Sequence, residues 1–362
     1  MSEEVGHIAL PRQNDALVGH ERAERTLLDA FRSGRLPHGW LLSGPRGIGK
    51  ATLAYRFARF VIADEGGDGA LFDAPAEGLA VSREHPVFRQ IANGAQTNLR
   101  VLEPRADEQG KVSRVIKIDD VRGAISFLRQ TAADGGWRAV IVDAADDLNQ
   151  NAANALLKVL EEPPAKAVLL LVTHVEGGLL ATIRSRCCHL PLLPLPDGRI
   201  LDLLGQWYPD MEAAERALLV RLAEGSPGRA RDIAESGGTD LYRAIEELLG
   251  RLPQPPVVEL HAFAERLAQG RDGRAFRTGV ELLRWWTAKL VRAGAVGLAS
   301  ADDAPEDVAL MERLLAWRPA NLWLCFWDRL GVLARDAEAL NLDRKQVILT
   351  AFLELEAGRG SL

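Results

Sequence analysis

The chain has 362 residues, of which 47% are hydrophobic and 26% charged, with a formal net charge of −6. Such a length holds two or three domains, and the composition excludes a disordered or fibrous chain. Acids and bases are mixed without a basic block, which argues against an independent nucleic-acid binder and leaves any DNA contact local or shared with partners.

Met1 to Asp15 has no apolar core of signal-peptide length, and no apolar run reaches the roughly 18 residues of a membrane span; a cytoplasmic chain without membrane contact is expected. Residues 16–33 place Leu17, Val18, Leu27, Leu28 and Phe31 at helix-like spacing. A strand at Trp40–Leu42 leads into a glycine-rich turn and a helical run, Leu53 to Val61, and residues 62–80 read as a loop or insert. Strands are expected at Leu99–Leu102, Trp137–Val142, Ala167–Val172 and Cys188–Leu195. Helices are expected at Ile118–Gln130, with Val121, Ile125 and Leu128 on one face, and at Asn151–Glu162, where Ala152, Ala155, Leu156, Val159 and Leu160 form a stripe stopped by Pro163-Pro164. Alternating helices and apolar strands imply a mainly parallel sheet covered on both faces. Short helices follow at Ile200–Trp207, Glu212–Ala223 and Ala230–Ala234. From Leu241 to Leu355 the pattern is helical, broken at Pro253–Pro256, Gly270, Gly294–Asp303 and Pro319.

The chemistry centres on Gly44-Pro45-Arg46-Gly47-Ile48-Gly49-Lys50-Ala51-Thr52. Gly44, Gly47 and Gly49 let backbone N–H groups wrap a phosphate, the next helix turns its positive end to the anion, and Lys50 reaches the outer phosphates. The hydroxyl that would sit on Mg²⁺ is missing, because Ala51 stands in that place. Thr52 substitutes only if the helix begins one residue late, since successive helical residues point about 100° apart. Asp143, ending a strand, is placed to hold a magnesium hydration shell, but the following Ala144 offers no carboxylate to orient a water. Asp146 and Asp147 read as surface residues or a helix start. A lost general base costs about 10²–10⁴ in rate. A site that binds ATP or ADP weakly, if at all, and turns it over poorly is expected. Arg186, in Thr182-Ile183-Arg184-Ser185-Arg186-Cys187-Cys188, could reach a neighbour's phosphates, and a trans arginine supplies roughly 10³–10⁵ in rate. On position alone a solvated arginine or local ion pair is the stronger reading. Cys187, Cys188 and Cys325 make neither a disulfide framework nor a four-ligand zinc set.

Leu36-Pro37-His38-Gly39-Trp40, Gly44 to Lys50, Asn154 to Pro164, Ser185-Arg186-Cys187 and Gly225-Ser226-Pro227-Gly228-Arg229 together resemble the clamp-loader branch of the AAA+ ATPases. The specific motifs cover residues 10 to 235; beyond them the resemblance rests on helical character and length. It implies an α/β AAA+ core of P-loop type at 1–193, a small helical lid at 194–238 and an all-α collar at 239–362. It further implies a non-hydrolysing structural subunit at one end of a five-subunit arc, with Arg186 projecting into the adjacent subunit's ATP site. The partners implied are the gamma/tau and delta subunits of the DNA polymerase III clamp loader, the sliding clamp and primed DNA. Trp285, Trp286, Trp317, Trp323 and Trp327 would lie in the collar, most of them in its core. Thr173 fits the polar sensor position at a strand tip. The family's sensor arginine aligns with Gly228, with Arg229 one place late. Its zinc knuckle has no cysteines at residues 61–98, so no zinc is expected. Two rivals stand beside this: an active AAA+ ATPase of the gamma/tau kind, and a P-loop kinase, which the Asn154–Pro164 helix and the helical C-terminal third do not support.

Overall fold

The computed structural model describes residues 10–64, 78–104, 115–130, 135–270, 273–297 and 305–357. Among the described residues five strands, β1 (Gly39–Ser43), β2 (Leu99–Leu102), β3 (Arg138–Asp143), β4 (Ala167–Thr173) and β5 (Cys188–Pro191), form one parallel sheet in the order β2-β3-β4-β1-β5. β1 and β4 are buried throughout. Alternate residues point to opposite faces, as the two-residue strand period requires. Leu42, Ile141, Leu170 and Val172 join one core with α1 (Glu21–Arg32), α2 (Lys50–Ala63) and α3 (Pro86–Ala92). Leu41, Val140, Val142 and Leu171 join a second core with α4 (Ile118–Arg129), α5 (Gln150–Glu161) and α6 (Ala181–Arg184). An uninterrupted apolar run such as Val168 to Val172 is therefore the mark of a strand covered on both faces.

Three helices follow the sheet: α7 (Asp197–Trp207), α8 (Ala213–Ala223) and α9 (Pro227–Glu235). Six more follow these: α10 (Gly238–Gly250), α11 (Val257–Ala268), α12 (Arg274–Val296), α13 (Pro305–Trp317), α14 (Ala320–Ala339) and α15 (Arg344–Ala357). The chain divides into two compact units, Met1–Arg229 and Ala230–Leu362, with the boundary inside α9. In the second unit Trp286 and Trp323 are fully buried and Trp285 nearly so, while Trp317 and Trp327 are partly covered.

Several details differ from the sequence expectation. α1 begins only at Glu21, because Gly19 takes a φ of +80° that breaks any helix running back to Leu17. α3 was not expected; His85, which accepts a hydrogen bond from the Val87 N–H, and Pro86 start this single short element. A break at Leu340–Asp343, where Asn341 has a φ of +53°, separates α14 from α15. Most of the expected insert at 62–80 lies outside the described residues. Among the described residues no helix is long and apolar enough to cross a membrane.

Candidate functional site

Parallel sheets carry their ligand crevice beyond the carboxyl ends of the strands. Strand register brings Ser43 at the end of β1 level with Thr173 at the end of β4, and Asp143 at the end of β3 level with Val172. The glycine-rich turn leaves this edge. Gly44, Gly47 and Gly49 have φ values of +138°, +77° and +108°, so all three need the conformational freedom of glycine. α2 starts at Lys50 with Gly49 as a cap that offers no side chain, leaving its first amide groups for an anion.

Lys50 turns back into this cradle. Its Nζ donates to the carbonyls of Gly44 and Pro45, both at 2.6 Å. Burial lowers the ammonium to about 8, against the opposing pull of Asp143 and Asp146. A second grip comes from the turn ahead of α9. Buried Ser226 donates from Oγ to the Arg46 carbonyl at 2.8 Å, and the Gly228 N–H donates to the Gly47 carbonyl at 2.9 Å. The approach is close enough that a Cβ on Gly228 would stand 2.8 Å from the Gly47 Cα. Arg229, the residue one place late for the sensor role, pairs instead with Glu224 at 2.6 Å.

The helix does not begin late, so Thr52 falls at its third position and is buried, and nothing replaces the hydroxyl missing at Ala51. The cradle thus fits a phosphate, held by the loop amides and Lys50, but lacks the usual magnesium ligand. Burial, and after it the charge of Glu103, raise the Asp143 carboxyl above its ordinary range, with Lys50 and Arg46 opposing. Asp146 corrects the sequence expectation. It lies in a single helical turn, Ala145–Asp147, where its carboxylate accepts from the Thr173 hydroxyl and from the His174 N–H. It therefore holds the candidate sensor threonine. Burial, aided by Lys50 and Arg46, brings His174 to about 4, so the imidazole is neutral at pH 7, and its Nδ1 is buried with no hydrogen-bond partner. The contacts of Asp146 and Ser226 were not readable in sequence, because each acts on a residue far along the chain.

Arg186 lies away from this cradle, just before β5. Its Nη2 pairs with Glu161 at 2.8 Å and its Nη1 donates to the Thr182 carbonyl at 3.1 Å, with 37% of the side chain exposed. The local ion pair is thus real, and the guanidinium still faces solvent. Cys187 beside it is mostly covered, and burial pushes its thiol up to about 12, which makes it a packing residue. Among the described residues no group of three or more His, Cys, Asp or Glu could hold a metal ion.

The family model described as DNA polymerase III, delta subunit, matches residues 19–196. Residues 19–196 are thus similar to that family. The chain is 37% identical over 216 residues to the DNA polymerase III subunit delta′ of Pseudomonas aeruginosa, covering 59% of this chain and 61% of that one. It is 32% identical to the delta′ subunit of Escherichia coli, covering 61% of each. A gamma/tau subunit from Mycobacterium bovis is 28% identical over 80% of this chain and 52% of its own. The chain thus spans between 52% and 61% of the length of these relatives. The fold is a five-stranded parallel sheet covered by helices and followed by a helical C-terminal region.

Proposed function

We propose that the chain is a structural subunit of the DNA polymerase III clamp loader that does not turn over ATP itself and that presents Arg186 to ATP held by a neighbouring subunit. One contrast carries this reading. The phosphate loop has its glycines and lysine but neither a hydroxyl at position 51 nor an acid at position 144, while a part-exposed guanidinium stands just before β5. Lys50 and the loop amides would hold the phosphates of a nucleotide bound in this chain's own cradle without turning it over. Residues 1–193 would serve as the nucleotide-binding-like domain, 194–238 as the lid and 239–362 as the collar that assembles with gamma/tau and delta subunits. The assembled loader would act on the sliding clamp and primed DNA in the cytoplasm.

The test is Arg186→Ala in a loader reconstituted from this chain with gamma/tau and delta subunits. Hydrolysis at the site it serves should fall by roughly 10³-fold or more, seen as a partial loss of total turnover, with assembly intact. Unchanged turnover removes the arginine from the mechanism. The second reading, an active ATPase of the gamma/tau kind, draws on the intact cradle and on the match to a gamma/tau subunit over 80% of this chain. It requires the purified chain alone to turn over ATP, and Lys50→Ala to abolish it.

A further inference from the structure

We infer that Glu161 is a positioning residue for Arg186, holding its guanidinium in one orientation at the molecular edge; this rests on the trans-arginine reading above. An arginine side chain is long and loses much rotamer freedom when it is fixed. Here two contacts fix it: Glu161 Oε1 takes Nη2 and the Thr182 carbonyl takes Nη1. A guanidinium carries five N–H donors in one plane, so three remain to meet a phosphate. The fork is oriented without being used up.

Glu161 owes its place to nothing in its own helix. It is the last residue of α5, where the helix dipole favours a cation and disfavours a carboxylate. What holds it there is the meeting of three stretches far apart in the chain. His38 Nε2 bonds the Leu160 carbonyl at 2.8 Å, tying the start of β1 to the end of α5. A Cβ on Gly39 would stand 2.7 Å from Leu160 Cδ2, 3.4 Å from Cys187 Sγ and 3.6 Å from the Arg186 carbonyl. The bare glycine lets the α5 terminus and the Arg186–Cys187 turn close on the same point. Glu161 and Arg186 are thereby brought to ion-pair distance on a mount of packed backbone.

The experiment compares loaders reconstituted with wild-type chain, Glu161→Ala, Glu161→Gln, Arg186→Ala and the Glu161→Ala/Arg186→Ala double variant. The quantity read is the part of kcat that Arg186→Ala removes. Glu161→Ala should cut that part about three- to fivefold, the size of a part-exposed ion pair, with the KM for ATP unchanged. Glu161→Gln, which keeps an acceptor oxygen, should restore most of it. The double variant should match Arg186→Ala alone. Melting temperatures should stay within the wild-type range, since half of the Glu161 side chain is exposed. Full turnover in Glu161→Ala, or a further loss in the double variant, overturns the positioning role while leaving the trans arginine in place. An inert Arg186→Ala overturns the trans-arginine reading, and the positioning role with it.

Discussion

Lys50 is a buried cation whose partners are mainly carbonyls, and its behaviour with pH follows from that. Folding lowers it to about 8 from 10.5, so between those values the unfolded chain still holds a proton that the folded chain has released. Stability then rises with pH across that window. Relative to Lys50→Met, the wild-type chain should gain on the order of 1–3 kcal/mol between pH 8 and pH 10, measured by urea unfolding at both. A difference that is flat with pH would mean that the ammonium is not held in a dry site. The cradle was legible in sequence because glycine spacing and the lysine are local features. Its closure was not, since Ser226 grips a carbonyl 180 residues earlier. The role of Asp146 escaped for the same reason: an acid past a strand end looks like a surface residue until Thr173 is brought beside it.

Elements were readable wherever burial imposed a period. The stripe of α5 follows the 3.6-residue repeat, and Asn149 caps its start by accepting from the Ala152 N–H at 2.8 Å. β1, β3 and β4 announced themselves as apolar runs. α3 has only seven residues, too few for a periodicity to show, and α1 overran because Leu17 and Val18 are apolar without being helical. Between α12 and α13 lies a feature that no period could reveal. Lys289 Nζ meets Asp307 Oδ2 at 2.8 Å with side chains 10% and 5% exposed, and the ammonium lies over Trp285 and Trp286. Removing one partner of such a pair leaves the other charge away from water and without this counter-charge. Asp307→Ala should cost about 3–5 kcal/mol, whereas Lys289→Met with Asp307→Leu should come within about 1–2 kcal/mol of wild type. Chemical denaturation of the full chain reads both, and equal losses in the two would show that packing, not charge, decides this contact.

At the scale of the molecule, charge sets the terms for DNA. A chain with net charge −6 is repelled on average by a polyanion, and several of its surface arginines are held in ion pairs. Arg83 pairs with Asp15, Arg251 with Glu259, Arg266 with Asp240, Arg274 with Glu235 and Arg329 with Glu354. Binding to DNA releases counterions only in proportion to the phosphates neutralised, and paired arginines must first give up their carboxylates. DNA-binding proteins commonly show non-specific dissociation constants of about 10⁻⁴–10⁻⁶ M at physiological salt. The purified chain should bind a primed duplex more weakly than ~10⁻⁴ M at 150 mM salt by fluorescence anisotropy, and it should contribute to DNA contact only where a partner raises its local concentration. Micromolar binding by the chain alone, with an affinity that falls steeply as salt is added, would reveal a basic surface that the net charge conceals. It would also make the chain a direct holder of the primed strand instead of the platform proposed above.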